Sequence, residues 1–536
     1  MESQIPASRI ASDCVSNLNR EILFNTLDSF SGFKVIVWDQ KLIKRFDLVA
    51  KSDQLKQHDV VSMLLLDSTL MSASVEHSHV IYILDSCRAS ARKLLKHLKR
   101  TVSKDDRRLF HVLFVPDATA TIKDLLKEDL ETSAHIKTVA SLPIRIYPFY
   151  DDFFSCFMPY TDWTELYRCA SALLQIQLLC KKTPNLRCYG KWAAQTAKIL
   201  KEIRLEASKT YKAYDEWNVS DIVIVDRWCD PLTPMLYQYT YGGIIDEVFK
   251  ILPSGGILTT LFENDDKQAV PKEKNLNDDL YFRLRDLHIS DVAKAISTEV
   301  KEVKEIHQGL RENWDASLTQ TKVLVRKLKE IKTRERDAEK HAIITSHITS
   351  RLRNDRRFKK IAAFERELLR GDYGDRVIGF IEDLIAEAYS PDRILCLITI
   401  QSLVCGGLKP LTYLTYLRLF IQCEYTPFDL HYANKRFGCI DQSNECSVSY
   451  PYCGYIPPIV RLVQHGVKNG WKDWTTVASP HQMNFDPKST TIVYVIGGLT
   501  MAEAACLRKI NFPNQLFILT TSIISGNHLF NSLERS

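Results

Sequence analysis

The sequence predicts an α/β-plus-α protein: two α/β domains built on parallel sheets, with a large, mostly helical domain inserted into the second. Three observations carry that expectation. Apolar β-branched runs alternate with amphipathic stretches through the first third of the chain, and strand-like runs return only near its end. Between them, Lys272 to Arg370 contains no proline and a single glycine, Gly309. With 536 residues, 45% apolar and 25% charged, the composition suits about three folded domains and excludes a disordered chain, a collagen-like repeat or a small disulfide scaffold.

In chain order, Phe33–Asp39, Val60–Asp67, Val80–Asp85 and Phe110–Pro116 are nearly continuous apolar runs, the pattern of strands covered on both faces. Arg88–Arg100 places Ala89, Ala91, Leu94, Leu95 and Leu98 on one stripe with basic residues opposite, which predicts a helix packed on that sheet. Three of the strands end at Asp39, Asp85 and Pro116, the edge where doubly wound sheets seat ligands. No Gly-x-Gly-x-x-Gly and no Gly-x-x-x-x-Gly-Lys-Ser/Thr follows them. The phosphate-cradling equipment is missing, which weighs against the alternative reading, a nucleotide- or phosphate-dependent enzyme.

A further strand is read at Asp221–Arg227, and two more at Thr490–Ile496 and Gln515–Thr520. Isolated strands do not make a sheet, so these distant pieces are expected to pair in one discontinuous domain around the insertion. Inside the insertion, Ile296, Val300, Val303, Ile306, Leu310, Trp314 and Leu318 recur three or four apart, continuing through Val325, Leu328 and Ile331. That spacing predicts a long helix or a helical hairpin. Residues 294–370 hold 20 Lys+Arg against 12 Asp+Glu, while the whole chain has 71 against 65, a net charge of +6. The basic surplus therefore belongs to one helical element and the remainder is slightly acidic. A solvated helix face and a docking surface for an acidic or mixed-charge helical partner both account for it.

Catalytic and metal-binding patterns are absent from the sequence. His341 and His347 lie six apart on different helix faces, and there is no His-Glu-x-x-His or Gly-x-Ser-x-Gly. The fourteen cysteines form no Cys-x-x-Cys pair, and Cys439, Cys446 and Cys453 near His431 are too irregular for a zinc site. No catalytic residue, metal or cofactor is expected, and mixed charges without interleaved aromatics argue against nucleic acid. Met1–Arg20 lacks the order of a secretory signal, and Ile394–Leu408, broken by Gln401 and Ser402, is shorter than the about 20 residues a bilayer requires. A cytoplasmic chain, brought to membranes by something else, is the expectation.

One segment is dense in constrained residues: it runs from Asp226, Arg227 and Asp230 through Pro231, Thr233 and Pro234 to Tyr241 and Asp246. A buried Asp and Arg there would need each other, and the segment is read as the joint between sheet and insertion. It resembles the Asp-Arg-x-x-Asp-x-x-Thr-Pro signature of the Sec/Munc (SM) family of SNARE-binding vesicle-fusion proteins. Leu55–His58, Leu113–Pro116, Pro148–Ser155, Tyr189–Lys191, Ile381–Ala386, Gly454–Pro458 with Arg461, and Gly497–Thr500 with Glu503 and Arg508 are similar to their counterparts in the same order. Trp192 and the Trp228-Cys229 pair depart from the pattern.

The resemblance, strongest to the vacuolar-protein-sorting branch that serves HOPS and CORVET tethering complexes, implies an arch-shaped SM fold. It has a first domain at 1–147, a second at 148–247 and 484–536, and a helical third at 248–483 whose hairpin spans about 292–353. It implies a non-enzymatic protein that templates or protects SNARE assembly during endosome and lysosome (vacuole) fusion, recruited peripherally to those membranes. Lys322, Arg326, Lys329 and Arg334 on the hairpin are the candidate SNARE-binding residues. Tyr425, Phe428, Tyr432, Arg436 and Phe437 are the candidate contacts for a tethering-complex subunit.

Overall fold

The apolar runs become the inner strands of two sheets. The structure, a computed structural model, describes residues 7–67, 79–102, 108–158, 165–207, 217–262, 270–312, 318–371, 376–405, 407–422, 450–452, 454–478, 486 and 488–526. The first sheet contains β1 (Lys34–Trp38), β2 (Val60–Leu65), β3 (His79–Asp85), β4 (Leu109–Val115) and β5 (Ile136–Ser141). All pairings are parallel, in the order β2-β1-β3-β4-β5. The helix Arg88–Thr101 packs Ala91, Leu94 and Leu98 onto one face, and Leu23 and Leu27 of the helix Ala7–Asp28 cover the other.

One strand departs from the expectation of two covered faces. β2 lies at the sheet edge, and Val61, Met63 and Leu65 are exposed while Val60 is buried. Its apolar run reads like that of a central strand because composition does not reveal which strand the chain leaves unpaired on one side.

The next strands are β6 (Tyr147–Tyr150), β7 (Phe153–Ser155), β8 (Asn185–Tyr189) and β9 (Val219–Asp226), then the two-stranded ribbon of β10 (Gly256–Thr259) and β11 (Lys272–Asn275), then β12 (Thr475–Val477), β13 (Thr490–Ile496) and β14 (Gln515–Thr520). The second sheet runs β12-β8-β9-β13-β14-β7-β6. Its five inner strands are parallel, and β12 and β6 are antiparallel at the edges. β13 lies between β9 and β14, so strands from before and after the helical part share one sheet.

The breaker-free stretch does not begin as helix. Its first residues, Lys272–Asn275, are charged and pair with β10. Helix starts at Asp279–Leu284, where the Asp278 carboxylate accepts from the Tyr281 amide at 2.8 Å. Two long helices follow, Ile289–Glu312 and Leu318–Asn354, roughly 36 and 55 Å long at 1.5 Å per residue. Phe358–Arg370 ends on Gly371 in the left-handed region. Arg376–Ala386, Pro391–Cys405 and Pro410–Gln422 complete this part. A single buried cluster joins it to the second sheet, running from Val223, Val225 and Val493 through Tyr241 and Ile244 to Ile344, Phe364, Ile381 and Ile398.

Candidate functional site

The constrained segment closes the carboxyl end of β9. Asp226 accepts from the Trp228 amide with one oxygen and from the Trp192 amide with the other, both at 2.9 Å. Burial nevertheless raises its pKa. Gly190 has φ +98, and a Cβ there would come within 2.4 Å of the Asp226 Cβ, so the approach of the two loops requires glycine. Next along, Arg227 is 2% exposed and donates through Nη1 to both Glu503 oxygens at 2.8 and 2.9 Å. Its Nη2 donates to the Asp230 carbonyl at 2.5 Å and faces the Asp230 carboxylate at 3.0 Å.

Asp230 in turn accepts from the Thr233 amide at 3.0 Å and hydroxyl at 2.6 Å. Pro234 sits in the short 3-10 turn Thr233–Met235, and Thr240 caps the helix Tyr241–Phe249. Glu503 is set by its own helix start, where its carboxylate accepts from the Thr500 amide and its amide donates to the Thr500 hydroxyl, each at 3.0 Å. Burial pushes the Glu503 carboxyl up against the pull of Arg227. Asp226, Arg227, Asp230, Thr233 and Glu503 are all buried, and the Arg227 terminal nitrogens pair with Glu503 and Asp230, which braces β9 against the helix Met501–Arg508.

The brace extends to the long helix. The Tyr241 hydroxyl and His341 Nδ1 are 3.0 Å apart, and His341 Nε2 is 3.1 Å from the Asp278 carboxylate. His341 is fully buried, and Lys340 adds a 2.6 Å ion pair to Asp278. At the other end of the helix Tyr241–Phe249, Asp246 accepts from the Ile251 amide at 3.1 Å. Asp152, between Arg508 at 2.6 Å and Arg285 at 2.9 Å, ties the strand end near β7 to the same region. Burial would raise the Asp152 pKa, but the two guanidinium groups outweigh it and hold it at about 2.

The candidate hairpin residues divide into distinct environments. Arg326 is 83% exposed and has Glu330 one turn on at 3.4 Å, and Lys329 is exposed beside it. Arg334 is instead drawn inward, pairing at 2.7 Å with Glu299 of the first hairpin helix and at 3.5 Å with Glu302. Glu299, only 2% exposed at its side chain, also takes Arg283 at 2.7 Å. Together these guanidinium groups lower its pKa against the opposing effect of burial. The docking reading of the Arg334 charge thus meets an internal partner that sequence inspection missed. The signal was present: Glu299 interrupts the apolar stripe between Ile296 and Val303, where a carboxylate needs a cation.

A groove of about 770 Å³ opens on this face, walled by Asp279, Arg283, Arg326, Lys329, Glu330 and Arg334. Its mixed charge suits a helix that carries both signs. The Lys322 side chain lies outside the described residues, as do Tyr425, Phe428, Tyr432, Arg436 and Phe437. Among the described residues no group of three or more His, Cys, Asp or Glu is placed to hold a metal ion, and no helix is long and apolar enough to cross a membrane.

Comparison with known proteins shows the family and the fold. The Sec1 family profile matches residues 34–532. Vacuolar protein sorting-associated protein 33A of Caenorhabditis elegans is 29% identical, over 96% of this chain and 95% of that protein. The protein of the same name from Rattus norvegicus is 26% identical over 99% of each. Among solved structures, that of the SM protein Vps45 in complex with the Qa SNARE Tlg2 aligns over 97% of this chain and 98% of its own, with a TM-score of 0.65 at 17% identity, a likeness of fold.

Proposed function

The chain belongs to the Sec1 family, and on that premise we propose that it is a non-enzymatic SNARE-binding protein that templates or protects SNARE assembly. It does so within a HOPS/CORVET-like tether during endosome and lysosome (vacuole) fusion, recruited to those membranes through the complex. Full-length similarity to vacuolar-sorting proteins supports the pathway. The fold shared with an SM protein solved on a SNARE supports the ligand class.

The observation that carries the reading is the groove along the second hairpin helix, with exposed Arg326 and Lys329 at its rim. A SNARE segment is an amphipathic helix, and holding one along a rigid helical rail removes part of the ordering cost that coupled folding and binding otherwise meets. In this reading 1–147, 148–247 with 484–536, and 248–483 are the working units. Tyr425, Phe428, Tyr432, Arg436 and Phe437 are proposed as the contact with a tether subunit.

Affinity isolation of the tagged chain from cells tests this. SNAREs and a vacuolar-sorting tether subunit are expected with the wild type, and loss of the tether subunit alone with Tyr432→Asp. Recovery of neither partner with the wild type contradicts the proposal.

A further inference from the structure

The amino edge of the first sheet carries a pair of histidines that neither the brace nor the groove uses. His79 opens β3 and His111 lies on the neighbouring β4; their rings stack with centroids 5.1 Å apart, and His79 Nδ1 is 2.9 Å from His111 Nε2. On its other side the His79 ring reaches the chain that leaves the helix Ala7–Asp28. Its Nε2 is 3.0 Å from the Ser31 carbonyl oxygen, and the His79 amide donates to the Phe33 carbonyl at 3.0 Å. Phe30 closes over both rings, 4.2 Å from His111 and 5.8 Å from His79 between centroids.

The partners fix where the protons sit. A carbonyl oxygen only accepts, so His79 Nε2 carries a proton, and in a neutral ring His79 Nδ1 is then bare and accepts. His111 Nε2 is therefore the donor of the 2.9 Å contact, which leaves His111 Nδ1 as the other bare nitrogen. That atom is buried without a hydrogen-bond partner among the described residues, and His111 is 2% exposed. A further proton has no good place. On His79 Nδ1 it sets two N–H groups head to head; on His111 Nδ1 it makes a buried cation with no acceptor.

The charges around the pair oppose that proton as well. Burial first, then His79 of β3 and Lys137 of β5, lower the His111 pKa to about 4. From β1, Lys34 stands opposite His79 in the ladder; it is buried and pairs with Asp59 at 3.7 Å. Asp28, at the end of the helix Ala7–Asp28, is engaged by His58 at 2.8 Å.

We infer that the His79–His111 pair is an acid-sensitive clasp: it holds the chain after the helix Ala7–Asp28 to the first sheet while both rings are neutral, and one added proton releases it. The helix it secures also reaches the second unit, where Asn19 donates to the Ile146 carbonyl at 2.7 Å and accepts from Gln175 at 3.0 Å. Loosening its end therefore loosens an element shared by both. A histidine whose folded pKa is lowered stabilises the fold fully above its unfolded value near 6.5, and that contribution is lost as pH falls toward about 4.

Hydrogen exchange of the full chain at pH 7 and pH 5, read by mass spectrometry and corrected for the intrinsic pH dependence of exchange, tests the clasp. Opening of residues 29–33 and of the His79 amide is expected to rise about twentyfold from pH 7 to pH 5 in the wild type, and by less than about twofold in His111→Phe. That variant keeps an aromatic ring against Phe30 and removes the titration; circular dichroism verifies its folding. Nitrogen NMR of the histidine-labelled wild type gives a second reading that needs no variant: His111 Nδ1 is expected to remain unprotonated at pH 5.5. Exchange unchanged between the two pH values in the wild type, an equal rise in folded His111→Phe, or protonation of His111 near pH 6.5 overturns the proposal.

Discussion

Arg227 shows how a signature segment dense in constrained residues acts as a structural brace. It lies between Glu503 and Asp230, 2% exposed, and its terminal nitrogens tie β9 to the helix that begins at Met501. Arg227→Met leaves two carboxylates buried without their cation, which lowers unfolding free energy by about 3–5 kcal/mol in chemical denaturation. The Arg227–Asp230 half of this array was legible, because a buried Asp and Arg three apart must pair. The Glu503 half was not, since 276 residues separate the partners and no local period links them.

Trp192 and Trp228 behave the same way. Each departs singly from the family pattern, yet their rings meet edge to face at 6.0 Å and both their amides donate to Asp226. One departure packs against the other.

Glu247 provides a pH-dependent test at the same scale. Burial raises its pKa to about 7, against the lowering effect of Arg393. A raised carboxyl favours the folded state fully below its unfolded value near 4.5, and that contribution is lost as pH rises through about 7. Glu247→Gln keeps the carbonyl that accepts from the Gln238 amide and removes the titration. Its stability relative to the wild type is expected to rise between about pH 4.5 and 7 and then level off, as measured by urea unfolding at a series of pH values.

The hairpin is the element on which the functional reading turns. Its helical period was visible in the sequence, because apolar residues three and four apart continue through Ile331 with Gly309 as the single glycine, but that spacing left one long helix and a hairpin both open. Which of its charges face solvent was not, because pairing across the hairpin joins residues 35 apart. Glu299 clamps the second helix through Arg334 and is itself held by Arg283. Glu299→Gln is expected to cost about 1 kcal/mol in a thermal or chemical melt, since both arginines are partly screened by solvent. Arg326→Glu and Lys329→Glu are expected to leave the melt unchanged. β2 teaches the complementary lesson for strands: its apolar run predicted a strand correctly but not its place at the edge, because edge position is a property of topology.

At the scale of the whole molecule, two mainly parallel sheets are centred on strands such as β1, β3, β4 and β13 that are buried on both faces, and a helical body is packed on the second through one continuous cluster. The +6 net charge is the residue of a basic helical part set against a slightly acidic remainder. The brace around Arg227 and the Tyr241–His341–Asp278 chain anchor the long helix to the sheet, so the groove along it presents a rail of fixed direction. Its exposed basic rim, on this account, is what a SNARE helix meets. The most direct test is titration calorimetry of the purified chain with a soluble SNARE-motif segment at low and physiological salt. The account predicts binding that weakens with salt and falls severalfold in the Arg326→Glu, Lys329→Glu double variant, with its melting temperature unchanged. Equal affinity in the wild type and the folded double variant would place the SNARE elsewhere and contradict it.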